Sequence, residues 1–212
     1  WELVYCELYA GGKYNNDEGE SYEYSLGLNG LGACATQYAS EWFEVTVLRD
    51  KTRFELRFER GEPSGAMRET PYSGKRTGTI TRWKPDNEVF TDIAIQSEFF
   101  HDVLKRQAVV NAGLTFTFRD EVEPGRFEES RYRYENGIVD YLQELLGDDA
   151  LTAPYLPRAE RQGRDREDKP LYKVKFEVAF AFSARVQRIE YYHNSSYLEH
   201  GGSPDKAVRS AF

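Results

Sequence analysis

Tyr9-Ala-Gly-Gly-Lys-Tyr14, Tyr22-Glu-Tyr-Ser-Leu-Gly-Leu-Asn-Gly-Leu-Gly32 and the run Ala33-Cys-Ala-Thr-Gln-Tyr-Ala-Ser40 that follows them decide how this 212-residue chain is read. Gly27, Gly30 and Gly32 leave a backbone free of Cβ atoms just ahead of a segment of good helix formers. Successive amide N–H groups and the start of that helix could therefore face an anion. The spacing is GxxGxG, which is neither the dinucleotide fingerprint GxGxxG nor a Walker A loop, and no apolar strand runs directly into it. On spacing alone, a phosphate cradle and a plain loop both fit, and the plain loop is the simpler reading.

Upstream, Leu3, Val4 and Leu8 have helical spacing, and Gly11-Gly12 supplies a stop. Downstream, Phe54, Leu56 and Phe58 alternate with Arg53, Glu55, Arg57 and Glu59, the period-two pattern of a strand with one wet face. Val45 and Val47 mark a partner strand joined through an Asp50-Lys51 turn, and Thr77 to Trp83 is a third β-rich run, so an antiparallel meander is expected. Phe99, Phe100, Val103, Leu104, Gln107 and Ala108 place an apolar stripe on a helix stopped at Asn111-Ala112-Gly113. Leu114, Phe116 and Phe118 return to strand.

The acidic, Pro- and Gly-bearing stretch Asp120 to Arg126 is the expected boundary between domains over 1–122 and 123–212. Beyond it, Ile138 to Leu146 reads as an amphipathic helix, and Arg158 to Pro170 reads as an exposed loop. Val174 to Phe182 reads as a strand whose hairpin partner is Val186 to Tyr192. Ser203-Pro204-Asp205 has helix-start chemistry only seven residues before Phe212, so the chain is expected to be cut inside a helix at both ends.

Composition narrows the classes. With 40% apolar and 15% aromatic residues the chain can build a sizeable core. It holds no apolar run of membrane-spanning length and no signal-like N-terminus, which points to a soluble cytoplasmic protein with no membrane partner. Cys6 and Cys34 are too few and too far apart for a metal knuckle or a disulfide framework and read as reduced thiols. His101, His193 and His200 have no ligand spacing, so no metal ligand is assigned. A net charge of −8 argues against this segment gripping a duplex by itself. Arg126, Arg131 and Arg133 are interspersed with Glu128, Glu129 and Glu135, the pattern of a solvated strand face.

The AGGKY segment, the YSLGLNGLG segment and the later Thr77-Gly78-Thr79 stand in the order and approximate spacing of bacterial DNA gyrase B subunits and the related topoisomerase IV B subunits, members of the GHKL ATPase superfamily. The likeness continues through Phe90-Thr-Asp-Ile, the strand Leu114 to Asp120, Tyr134-Glu-Asn-Gly-Ile-Val-Asp-Tyr-Leu and Asn194 to Gly202. Against the family pattern YxxSGGLHGVG, Leu26 replaces a glycine, Asn29 a histidine and Leu31 a valine.

The resemblance implies an α+β chain: a partial GHKL-type α/β sandwich followed by a partial transducer domain of the ribosomal protein S5 domain 2 type. It also implies a set of ATP-binding residues. Gly11, Gly12, Lys13 and Tyr22 would belong to the ATP lid, Gly27, Leu28, Asn29, Gly30, Leu31 and Gly32 would wrap the triphosphate, and Thr79 would lie beneath the adenine. Read without the family, Thr79 is simply a threonine suited to a strand. The family's catalytic glutamate and magnesium-binding asparagine are expected upstream of Trp1, so this chain alone is expected to be nearly inert as an ATPase.

ATP and Mg2+ are the implied cofactors, and a DNA-cleaving A subunit, DNA and a second copy are the implied partners. An uncovered sheet edge and self-association are expected for the isolated piece. Another GHKL ATPase of the chaperone or mismatch-repair type, and a non-catalytic scaffold module, are the alternatives.

Overall fold

The computed structural model describes residues 1–9, 30–164, 166–168 and 171–211. They form two compact units, Trp1–Ile95 and Gln96–Phe212.

Among the described residues, the first unit is a five-stranded antiparallel sheet with two short helices. After α1 (Glu2–Tyr5) and α2 (Gly32–Tyr38) come β1 (Ser40–Arg49), β2 (Thr52–Glu59), β3 (Glu62–Pro63), β4 (Arg68–Pro71) and β5 (Gly78–Pro85). The order is β3-β2-β1-β5, with β4 also on β2. Asp50 and Lys51 both take positive φ, 51° and 58°. A two-residue turn of this kind matches the strand twist and sets the hairpin register. That register pairs Phe43 with Phe58, Val45 with Leu56 and Val47 with Phe54. Because side chains alternate across a strand, the apolar set falls on one face and Arg53, Glu55, Arg57 and Glu59 fall on the other.

Phe43, Val45, Leu56 and Phe58 are buried, and Tyr5, Cys6, Val47 and Met67 pack against them. Each such side chain contributes about 1.5–3 kcal/mol on burial. On the wet face, Arg57 and Arg82 both pair with Glu44 and lie over the Trp42 ring. The three antiparallel strands read from the sequence are present, but they do not form a meander: β5 adds to β1 on the side away from β2, and β3 and β4 join β2.

The second unit opens with α3 (Ser97–Val110), β6 (Phe116–Glu123), β7 (Arg126–Tyr132) and α4 (Ile138–Leu146), the last running into a 3-10 turn at Gly147–Asp149. Its core is Ala108, Val109 and Tyr134, with Phe116, Tyr132, Ile138 and Tyr141 packed around them. Phe100 of α3 stacks on Phe118 of β6 with ring centroids 5.4 Å apart, so the helix sits on the ribbon. The division expected at 122/123 falls inside the β6–β7 hairpin, where Glu123 pairs with Arg126 across the turn. The flanks of this charged turn pair residue by residue, and the two compact units meet between Ile95 and Gln96.

Further on come β8 (Arg158–Gly163), β9 (Tyr172–Glu177), β10 (Tyr192–His193), β11 (Ser196–Tyr197) and α5 (Gly202–Ala211). Arg158 to Gly163, read as loop, is a strand, and it rather than Val186 to Tyr192 is the partner of β9. It carries charge rather than apolar alternation and pairs with β9 along its whole length, with exposed ion pairs of Arg158 to Glu177 at 2.8 Å and of Lys173 to Glu160 at 3.1 Å across the ladder. Phe180 and Phe182 lie beyond β9, and Phe180 makes an isolated bridge to Tyr155. Among the described residues no helix is long and apolar enough to cross a membrane.

Backbone demands are sharpest at Gly137, ahead of α4, with φ 61° and ψ −126°. A Cβ there would stand 3.1 Å from the Val109 carbonyl oxygen and 3.3 Å from the Ala112 Cβ. Gly137→Ala should therefore cost about 2 kcal/mol in urea unfolding. Gly125→Asn, at φ 77° in open space, should cost under about 1 kcal/mol. Equal costs at the two sites would show that crowding around Gly137 is not the cause.

Candidate functional site

Of the residues assigned from the sequence, Gly11, Gly12, Lys13, Tyr22, Gly27, Leu28 and Asn29 lie outside the described residues. Gly30, Leu31, Gly32 and Thr79 lie within them. Gly30 takes φ 61°, a left-handed conformation that glycine adopts without strain. The chain then enters α2 with Leu31 as N-cap and no side chain capping it. The Leu31 carbonyl accepts from the Ala35 N–H at 2.8 Å, and the Gly32 carbonyl accepts from the Thr36 hydroxyl at 2.8 Å. The carbonyls of this turn are thus engaged, while first-turn N–H groups have no partner within a helix. Gly32 is exposed, and a Cβ on it would meet nothing within 4 Å. The loop-then-helix reading holds for the described part of the segment.

Thr79 lies in β5 opposite Val47 of β1. Cross-strand partners share a face, so Thr79 is on the side that carries the apolar core, near its exposed margin. Thr81, two residues on, is also on that face, and the Tyr5 side chain hydrogen-bonds to it. Tyr5 in turn packs against Phe43 and Phe58, at ring distances of 5.6 and 6.2 Å. One face of the sheet therefore holds α1, the aromatic core and Thr79.

Several polar groups escaped the sequence reading. Asp86 is buried, takes an ion pair from Arg60 Nε at 3.0 Å and accepts the Glu88 N–H at 2.9 Å. Its own N–H donates to the Ala39 carbonyl at 3.0 Å. It therefore fastens the end of β5 to the joint between α2 and β1, and the turn-like composition of Pro85-Asp86-Asn87 was the available signal. Gln37 of α2 is fully buried, and among the described residues neither its Nε2 nor its Oε1 has a partner.

In the second unit, the Glu190 carboxylate accepts from the Tyr192 hydroxyl at 2.5 Å, the Tyr141 hydroxyl at 3.1 Å and Arg188 Nε at 2.7 Å. Burial pushes its pKa up, but the bonds from Tyr192, Arg188 and Tyr141 outweigh burial and hold it below the ordinary glutamate value. Burial and the Glu190 charge push Tyr141 up to about 12. No pattern in the sequence marked Glu190.

Arg126 pairs with Glu123 and Glu128, and Arg133 with Glu135, as a solvated strand face would. Among the described residues, no group of three or more His, Cys, Asp or Glu side chains could hold a metal ion.

No family model matches the sequence. The chain is 31% identical to the DNA gyrase B protein of Thermotoga maritima over 188 residues, covering 87% of this chain and 28% of that protein. The chain belongs to the gyrase B and topoisomerase IV B family. The topoisomerase IV B protein of Salmonella typhimurium is 38% identical over 146 residues, 68% of this chain and 22% of that protein. Staphylococcus aureus gyrase B is 29% identical over 212 residues, 99% of this chain and 31% of that protein.

The crystal structure of the 43K ATPase domain of Thermus thermophilus gyrase B, in complex with an aminocoumarin, is also similar. It has a TM-score of 0.58 and 27% identity, and the match covers 73% of this chain and 39% of that one. The α+β architecture is therefore that of a partial GHKL-type fold. The chain spans between about a fifth and a third of the length of these three curated relatives.

Glu190→Gln should destabilise the protein by about 2–3 kcal/mol at neutral pH, since it weakens a buried, hydrogen-bonded ion pair. With the folded-state pKa depressed, the Glu190 contribution is fully present above the ordinary value of 4.5 and is lost as pH falls through the lower folded value. Thermal unfolding from pH 7 to pH 3 should show the gap between wild type and variant closing only on the acid side. A constant gap would mean that the charge is not responsible.

Proposed function

We propose that this chain is the ATP-lid, phosphate-loop and early transducer region of the ATP-binding component of a type II DNA topoisomerase. The match to gyrase B across 87% of the chain carries the reading, and the likeness to a gyrase B ATPase domain supports it. The triphosphate would lie along Gly27 to Gly32, where Gly30 supplies left-handed backbone and Gly32 admits close approach. Gly11, Gly12, Lys13 and Tyr22 would form the lid. Lys13 would add a point charge near the terminal phosphate, and Thr79 would lie beneath the adenine.

α2 has only seven residues, so the bare amides matter here more than a helix dipole. Mg2+, when bound with the nucleotide, would supply neutralisation of the phosphate charge, and no residue of this chain is assigned to hold it. Trp1–Ile95 belongs to the ATPase portion in this reading, and the transducer portion begins within the second unit. In the whole cytoplasmic protein, ATP would close a homodimer around DNA, and hydrolysis would reopen it in concert with a DNA-cleaving A subunit.

Titration of a non-hydrolysable ATP analogue into the full-length protein tests the loop. Gly32→Val has room in the fold, so its melting temperature should stay near that of wild type while affinity falls at least about tenfold. Unchanged affinity would remove the phosphate-loop assignment. A plasmid assay with the A subunit tests the wider reading, since chaperones and mismatch-repair ATPases leave linking number unchanged. An ATP-dependent change in linking number is the expected result.

A further inference from the structure

The phosphate-loop reading uses Gly30 to Gly32 but does not say what fixes them in place. α2 has seven residues, and three segments meet at its far end. The Asp86 N–H donates to the Ala39 carbonyl at 3.0 Å, and the Asp86 carboxylate pairs with Arg60 Nε at 3.0 Å. Arg60 also pairs with Glu88 at 3.0 Å and donates its N–H to the Glu41 carbonyl at 3.2 Å. Next to it, Gly61 takes φ 91°, and a Cβ there would stand 2.6 Å from the Tyr38 ring. Asp86 is 5% exposed, so its charge depends on Arg60 rather than on water.

From this anchor a row of hydrogen bonds runs back to the loop. Ser40 lies opposite Pro85 in the β1–β5 pair, is 1% exposed, and its hydroxyl donates to the Thr36 carbonyl at 2.6 Å. The Thr36 hydroxyl donates in turn to the Gly32 carbonyl at 2.8 Å. Each step spans four residues, so Gly32, Thr36 and Ser40 stand in line from the loop to the sheet.

We propose that Asp86 is a positioning residue for the Gly30 to Gly32 turn: with Arg60 it pins the end of α2 to the sheet, and the Ser40–Thr36–Gly32 row carries that constraint to the loop amides. The role rests on the nucleotide function proposed above. Asp86 acts without touching nucleotide. Amides that are already fixed lose less freedom on binding, so loosening the anchor weakens binding although every donor remains. A pair that only stabilised the sheet would lower the melting temperature and leave affinity alone.

A fluorescent ATP analogue and hydrogen exchange, both applied to the full-length protein, test this. Asp86→Asn keeps the side-chain size and the acceptor for the Glu88 N–H but removes the charge that Arg60 meets. Affinity should fall about tenfold. The Ala35 and Ala39 amides, which bond within α2, should exchange about tenfold faster, with the β1–β2 ladder unchanged. Arg60→Gln should give the same losses, and the double variant should lose no more than the worse single one. Thr36→Val breaks the row without touching the ion pair. It should lower affinity about threefold while its melting temperature stays near that of wild type. Leu56→Val loosens the core elsewhere and, at a temperature where it is folded, should bind as wild type does.

Additive losses in the double variant, or a loss in Leu56→Val equal to that in Asp86→Asn, would overturn the positioning role. So would wild-type affinity in both Asp86→Asn and Thr36→Val, and the phosphate loop would then still stand on Gly32→Val. If wild type itself fails to bind, the nucleotide reading falls, and unchanged exchange at Ala35 in Asp86→Asn would overturn the anchor as well.

Discussion

The register between β1 and β2 is the constraint on which the first unit depends. Side chains alternate with a period of two, so a slip of one residue would turn Phe43, Val45, Leu56 and Phe58 out to water and bring Arg53, Glu55 and Arg57 inward. The left-handed pair Asp50-Lys51 holds that register from one end. Aromatic packing holds it from the other, where Phe43 meets Phe58 and Tyr5 contacts both. β5 adds to the free edge of β1 in the same phase, and this puts Thr79 on the core side. The position of a candidate adenine contact thus follows from a turn well upstream of it in the chain.

The second unit uses a different economy of polar groups. Its described apolar core is small, and hydroxyls and carboxylates tie its elements together: Glu190 joins Tyr141 of α4 to Tyr192 of β10, and the exposed Glu144 joins Tyr134 to Lys105. Such networks are strong only when every member is satisfied. Glu190 meets that condition with donors from three residues. The orphaned Gln37 amide in the first unit does not, and it stands out for that reason.

Segments with an apolar period were legible in advance. β2, α3 and α4 emerged where alternation or helical spacing placed them, because each must hide one face from water. One misreading has a clear cause. Arg158 to Gly163 is a strand paired with β9 residue by residue, and the partner lies on the other strand, where composition along one segment cannot reveal it. The same holds for Asp86 and Glu190, whose significance comes from Arg60, Tyr141 and Tyr192 rather than from local sequence pattern.

The sequence by itself determined the family, through the order of the AGGKY, glycine-loop and TGT segments. It also determined the alternating β1–β2 pair and the amphipathic helices, because local period and turn chemistry act within a few residues. Only the tertiary structure decided that Thr79 shares a face with the aromatic core, that Gly32 stands in open space, and that α1 and α2 pack together. Those facts depend on strand register and helix contact, which are set by burial summed over residues far apart in the chain.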